Sequence, residues 1–195
     1  MFAKSAILLL ASSFLASAAP TATVADLVPR ACTTITPSWV DVLDSAYPNQ
    51  GNVGNRISLA RGGSPVANTR KTAFIFQNIP AGATGCMLQI QWKAGSDFGN
   101  GSNTANLFTV EDFHTWTPSW NHQPAKIAQV ASTNLPTENT SPAFKTILYS
   151  DTCKPNMAFL LELADWQQQA GDFTFTQEGW AHEANPQGFS MIYNC

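Results

Sequence analysis

The segment Cys86-Met-Leu-Gln-Ile-Gln-Trp92 places an apolar side chain at every second position, starting from Cys86. Cys86, Leu88, Ile90 and Trp92 therefore share one face, and both glutamines lie on the other. A period of two is the spacing of a β-strand that packs one face on a hydrophobic core. The segment predicts a half-buried strand.

Similar β-rich segments recur along the chain, and the 12 glycines and 12 prolines are typical of the turns between them. Only Pro37–Tyr47 could form one or two helical turns, and Gly95–Ser102 is predicted to be a loop. The chain is thus expected to be all-β, an antiparallel β-sandwich of jelly-roll or Greek-key order with little helix. The other predicted strands are Arg56–Ala60, Thr72–Gln77, Thr104–Val110, Phe144–Tyr149, Met157–Leu163, Asp172–Thr176 and Phe189–Tyr193.

The first thirty residues have the features of a secretory leader. Lys4 precedes the apolar run Ala6–Leu15, and the small residues Ala16-Ser-Ala18 form a cleavage signature. We therefore expect a signal peptide over residues 1–18, a pro-segment or disordered tail over 19–30, and one β-sandwich domain over 31–195. The apolar run is too short to span a bilayer, so no membrane insertion is expected.

Charge and cysteine content narrow the function classes. The chain has a formal net charge of −3 and dispersed lysines, which argues against a nucleic-acid partner.

Four cysteines in an oxidising compartment predict two disulfides rather than thiol chemistry. Three pairings are possible. We favour Cys32–Cys195, which ties the domain ends together, and Cys86–Cys153, which joins two strand edges.

Several motifs together resemble the fungal secreted proteins that share the ubiquitin-three-binding protein (But-two) C-terminal domain. The resemblance runs from about Pro37 to Cys195, and an extra segment over residues 178–183 departs from it. It implies a compact secreted β-sandwich with no established enzymatic role. A signal peptide is incompatible with the cytosolic or nuclear ubiquitin-pathway partner in the family's name, so that binding is not expected here. The motifs are Phe76–Cys86, Gly101–Thr104, Trp120–Pro124, Thr152-Cys153, Phe175-Thr-Gln177 and Gly188–Cys195.

The segment Phe113–His122 concentrates candidate ligand-binding residues in what is predicted to be a loop. These are Trp116, Trp120, His114 and His122. Exposed aromatic rings stack on sugars, and nearby amides bind hydroxyl groups. The alternative is that both tryptophans fold back to cap the open end of the sandwich, with Trp92 and Trp39 in the core.

Metal and catalytic sites are weakly indicated. His114 and His122 with Glu111 or Asp112 have the residue types of a metal site, but a spacing of eight fits neither a helix nor one strand face, so no metal and no cofactor are predicted. A glycosidase needs two carboxylates across a cleft. Glu162 stands out because it interrupts an apolar strand, although alternation favours a solvent-facing or edge position of that strand as the explanation. The other candidates are Glu111, Asp112, Asp165, Asp172, Glu178 and Glu183.

Asn100-Gly-Ser102 and Asn139-Thr-Ser141 are glycosylation sequons in predicted loops, so glycosylation is expected at Asn100 and Asn139.

The leading hypothesis is a secreted fungal cell-surface or extracellular binding or structural module, whose partner is a cell-wall glycan or an extracellular protein. One alternative is a carbohydrate-active hydrolase with carboxylates near the Trp116/Trp120 loop. The other is a secreted effector that binds a host protein. The enzyme hypothesis requires these tryptophans and histidines to converge with a carboxylate on an open cleft.

Overall fold

The computed structural model describes residues 32–62, 67–139, 141–179 and 187–195. The predicted leader, the predicted tail, most of the segment over 178–183 and the candidate Glu183 lie outside these residues.

Thirteen strands form in the described part of the chain, and all their pairings are antiparallel. They are β1 (Thr33–Ile35), β2 (Trp39–Asp44), β3 (Val53–Gly54), β4 (Arg56–Arg61), β5 (Arg70–Phe76), β6 (Cys86–Trp92), β7 (Gly99–Gly101), β8 (Thr104–Val110), β9 (Lys126–Asn134), β10 (Phe144–Asp151), β11 (Met157–Leu163), β12 (Gly171–Thr176) and β13 (Gly188–Tyr193).

The strands form two sheets. The small sheet has the order β1-β13-β6-β10, and the large sheet has the order β7-β12-β4-β5-β11-β8-β9. Strand β2 pairs with β5, and β3 pairs with β2. The predicted antiparallel β-sandwich is confirmed. No helix among the described residues is long and apolar enough to cross a membrane.

The main core lies between the sheets and is rich in phenylalanine. Phe74 of β5 stacks on Phe189 of β13 with ring centroids 4.6 Å apart, and on Phe159 of β11 at 5.5 Å. The β6 residues predicted to face the core are all buried. The glutamines Gln89 and Gln91 of β6 are buried as well, because β13 and β10 flank this strand on both sides.

Both disulfides join elements of the small sheet. Cys32–Cys195 closes the edge where β1 pairs with β13, and Cys86–Cys153 links the start of β6 to the residues after β10. The favoured pairing is therefore confirmed. Two disulfides are typical of extracellular proteins.

Two predictions about local structure were wrong. Pro37–Tyr47 contains strand β2 rather than a helix, and Gly95–Ser102 contains the short strand β7 rather than only a loop. Strand β2 lacks a simple alternation because both of its faces are covered. Val40 packs in the main core, whereas Leu43 packs in a second cluster on the outer face of the large sheet.

Candidate functional site

Residues 111–125, called here the tryptophan loop, cover part of the outer face of the large sheet. Phe113 is fully buried against apolar side chains of that face, including Ile75 and Leu160. Trp116 and Trp120 are half-buried on the same cluster. The two tryptophans thus cover a sheet face rather than the open end of the sandwich. Trp39 also belongs to this cluster, while Trp92 lies in the main core as expected.

The four predicted binding residues line none of the described cavities. Trp116 stacks on His122 at 4.2 Å between ring centroids, and Trp120 has the Lys71 ammonium 5.4 Å from its ring centroid. His114 is exposed and its Nδ1 lies 2.8 Å from Asp112 Oδ1. Within the described ranges, no group of three or more His, Cys, Asp or Glu residues could hold a metal ion.

Glu162 lies at the margin of the tryptophan loop and is paired with two lysines. Lys71 Nζ lies 2.7 Å from Oε2, and Lys126 Nζ donates to Oε1. The side chain is 13% exposed on β11, between β5 and β8. Glu162 thus lies on the outer face of the large sheet, as alternation predicts, but not at an edge, and the two lysines leave little of it exposed. Glu162 interrupts the apolar strand at a position where Lys71 and Lys126 pair with its carboxylate.

The same lysines cover the nearby aromatic rings. The Lys126 ammonium lies 4.1 Å from the centroid of Phe108, and Lys71 lies over Trp120. Cation–π contacts of this kind stabilise packing and leave less ring surface for a sugar. A carboxylate does lie near Trp120, but this cluster of Lys71, Glu162 and Lys126 holds the loop on the sheet.

The remaining carboxylates are dispersed. Asp172 pairs with Arg70, and Asp112 accepts hydrogen bonds from His114 and Asn156. Glu111 is exposed, and Glu178 lies 3.1 Å from Lys93 Nζ. Asp165 and Glu162 both line a cavity of about 150 Å³, together with Arg61, Arg70 and Lys71. That volume is below the roughly 300–1,000 Å³ of ordinary ligand pockets.

Asp41 of β2 is a buried carboxylate that the sequence did not single out. It is 1% exposed, its Oδ1 accepts the Asn52 N–H at 2.6 Å, and its Oδ2 has no hydrogen-bond partner among the residues that the structure describes. Burial raises the pKa of Asp41 to about 6. A Cβ atom on Gly51 would lie 3.2 Å from Asp41 Oδ2 and 2.3 Å from Thr117 of the tryptophan loop. The carboxylate is thus packed where the loop meets the sheet.

The largest described opening lies at one side of the sandwich, between the edge strands β9 and β10. We call it the β9–β10 groove, bounded by residues 126–134 and 144–151. Its central cavity has a volume of about 640 Å³. Phe144 forms part of its wall, is 38% exposed, and stacks on Trp92 with ring centroids 4.4 Å apart. A partly exposed ring on a rigid base is a suitable surface for a ligand's apolar face.

The side chains around this central cavity are uncharged. Apart from the aromatic pair they are aliphatic, such as Val130 and Leu148, or neutral and polar. Thr104 donates to Asn134 Oδ1 at 2.8 Å, which fixes the orientation of that amide. The neutral polar residues are Ser132, Thr133, Asn134 and Thr146. The cavity can therefore accept hydroxyl groups but offers no counter-ion to a charged ligand.

β-Bulges shape both walls of the groove. The pairing of β9 with β8 shifts register between Leu107 and Phe108 and again between Thr109 and Val110, and that of β10 with β6 shifts between Ile147 and Tyr149. A bulge bends its strand and redirects its side chains. The cavity lies along the open edge of β9, and consecutive residues from Val130 to Asn134 all line it.

Both sequons have exposed asparagines. Asn100 lies in the short edge strand β7 rather than in a loop, and Asn139 lies in the connection between β9 and β10.

A scan against models of known protein families finds no match, and a search of curated proteins finds no significantly similar sequence. The resemblance to the But-two domain stays a prediction.

Proposed function

We propose that this protein is a secreted, non-enzymatic module that binds a neutral glycan in the β9–β10 groove. The observation that carries the proposal is the partly exposed Phe144, stacked on Trp92 in a cavity with an uncharged lining. A fungal cell-wall glycan is the ligand that the But-two resemblance and the predicted leader favour. Asn100 and Asn139 are the proposed glycosylation sites of the secreted chain.

The chemistry of the groove suits sugars. A pyranose presents an apolar C–H face that packs on an aromatic ring, and its hydroxyl groups bond neutral amides and hydroxyls. The central cavity provides both kinds of group. Since it provides no charge, it favours a neutral sugar over an acidic one.

The confirmed disulfides support an extracellular site of action. They join strands of the small sheet, to which the groove wall β10 belongs. A wall held in this way needs little reorganisation when ligand binds, which favours affinity.

Retention on insoluble neutral glycans tests the proposal. We expect the protein to be retained on particles of one or more of β-glucan, chitin and mannan, and Phe144→Ala to weaken retention about tenfold because a stacking surface is lost. Trp166→Ala is the matched control, because Trp166 is 64% exposed but lines no part of the groove. Retention should change little with salt, since the cavity is uncharged. Absence of retention on all three, or equal losses in both variants, would contradict the proposal.

The alternative hypotheses predict different results. Catalysis near Trp120 predicts soluble sugar release that is lost in Glu162→Gln, because Glu162 pairs with Lys71, the lysine that lies over the Trp120 ring. An effector predicts no glycan retention and a specific host-protein partner instead.

A further inference from the structure

The cavities beside β10 form a series along that strand. A cavity of about 370 Å³ is lined by Phe144, Lys93 and Lys145, and the uncharged central cavity by Phe144 and by residues 146–148. A third cavity, of about 200 Å³, is lined by Tyr149, Asp151 and Lys154, so charged side chains lie only at the two ends of the series. Strand β10 has eight residues, so the series extends over roughly 26 Å. The groove is long compared with one sugar ring.

The aromatic pair does not close the groove. Trp92 and Phe144 line both the first cavity and the central cavity, so open space lies on each side of the pair. A pocket for the end of a glycan chain would be closed beyond its last subsite. This groove instead continues in both directions from its stacking surface.

The third cavity offers a second polar contact point. The Tyr149 hydroxyl donates to Asp151 Oδ2 at 2.7 Å, and Asp151 Oδ1 accepts the Thr152 N–H at 2.7 Å. With its proton directed to Asp151, the Tyr149 oxygen has lone pairs available to accept a ligand hydroxyl. The Tyr149 ring packs edge-on to Phe159 of the core at 6.2 Å, which holds the hydroxyl in place.

The bulges argue against a peptide strand as the occupant. A strand added to β9 or β10 needs a regular ladder of backbone hydrogen bonds. The register shifts on both strands interrupt that ladder, and bulges of this kind protect sheet edges from pairing with another chain. A glycan chain makes no such ladder and is compatible with both walls.

We propose that the β9–β10 groove binds an internal stretch of a linear neutral polysaccharide, which lies along β10 from the Trp92–Phe144 pair to Tyr149. This inference rests on the proposed function and adds the form of its ligand. The aromatic pair stacks on one sugar unit, and Tyr149 accepts a hydroxyl from a unit further along the same chain.

The dependence of affinity on chain length tests the inference. Calorimetric titrations would use unbranched oligosaccharides of glucose, N-acetylglucosamine and mannose, from two to eight units. We expect affinity in the binding series to rise at least tenfold from the dimer to the longer chains. Tyr149→Phe keeps the ring, and should weaken binding of the long chains about three- to tenfold while leaving the dimer unchanged. Tyr47→Phe, in an exposed turn outside the groove, is the matched control.

Stoichiometry on a long soluble chain distinguishes internal from terminal binding. A polymer of the binding series, with about one hundred units, should carry several protein molecules if internal stretches bind, and no more than one per chain end otherwise. The inference would be overturned if affinity were equal at all chain lengths, or if Tyr149→Phe bound every length as the native protein does. Binding of no more than one protein per polymer chain end would also overturn it. Each of these results would leave the proposed function intact. Failure of every series to bind would overturn the proposed function itself.

Discussion

At the scale of single residues, Asp41 is the most unusual ionisable group in the described structure. It combines burial with an unpartnered Oδ2, and only the Asn52 N–H compensates for the lost water. A buried carboxylate of this kind favours its protonated form. Its charge at neutral pH is therefore a cost to the fold at the place where the tryptophan loop meets the sheet.

This cost predicts a pH-dependent stability. The pKa of Asp41 is about 6 in the folded protein, against an ordinary value of 3.8. Between those values the folded state binds more protons than the unfolded state, so the free energy of unfolding falls as pH rises. Asp41→Asn should stabilise the protein at pH 7.5, by up to about 3 kcal/mol, and have much less effect at pH 4.

Denaturant unfolding at the two pH values measures this effect, with the exposed Asp165→Asn as control. An Asp41→Asn variant that is no more stable than the native protein at pH 7.5, or equally stabilised at both pH values, would show that the carboxylate carries no such penalty.

At the scale of elements, the tryptophan loop and the groove walls show which features sequence can predict. Strands β6, β8 and β11 begin and end as expected; β6 and β11 each have one uninterrupted face in the main core, and β8 places Ala105 and Leu107 there. Strand β9 was not predicted. Its two bulges break the period of two, and as an edge strand it is largely exposed. Strand β9 is also a wall of the groove, so the sequence pattern alone does not reveal this part of the candidate site.

The tryptophan loop illustrates a different limit. Its composition suits both sugar binding and packing, and only the position of the sheet beneath it decides between them. Trp120 packs on an apolar face and under Lys71, contacts that come from distant parts of the chain. Phe144 has no unusual neighbours in sequence. It becomes a candidate only once β10 is paired with β6, which places it beside Trp92.

Packing of the loop predicts a stability role for Trp120. Trp120→Ala should lower the free energy of unfolding by about 1–3 kcal/mol, less than the usual cost for a fully buried tryptophan because this one is only half-buried. Chemical denaturation of the variant measures this, and Trp166→Ala, whose side chain is 64% exposed, should stay near the native value. Equal stability of Trp120→Ala and the native protein would contradict the packing role.

At the scale of the whole molecule, the two disulfides have different relations to the groove. Cys86–Cys153 ties the end of β10 to the start of β6, and β10 is a groove wall. Cys32–Cys195 ties β1 to β13 at the opposite edge of the small sheet. Both disulfides should therefore stabilise the fold, but only Cys86–Cys153 should also hold the groove wall in place.

Removal of each disulfide tests that difference. Cys86→Ser with Cys153→Ser should lower stability by about 2–4 kcal/mol and also weaken glycan retention. Cys32→Ser with Cys195→Ser should lower stability by a similar amount and leave retention unchanged at temperatures where the variant is folded. Unfolding curves and particle retention of both double variants measure the two effects, and equal retention losses would show that the first disulfide has no special relation to the groove.

The proposed ligand site is the β9–β10 groove, whereas the tryptophan loop packs on the sheet. The most direct test is glycan binding by Phe144→Ala and Trp120→Ala, measured on the same neutral glycan at a temperature where both variants are folded. We predict that Phe144→Ala weakens binding about tenfold and that Trp120→Ala binds as the native protein does. Native binding by Phe144→Ala together with loss of binding in Trp120→Ala would contradict the account and place the site on the tryptophan loop.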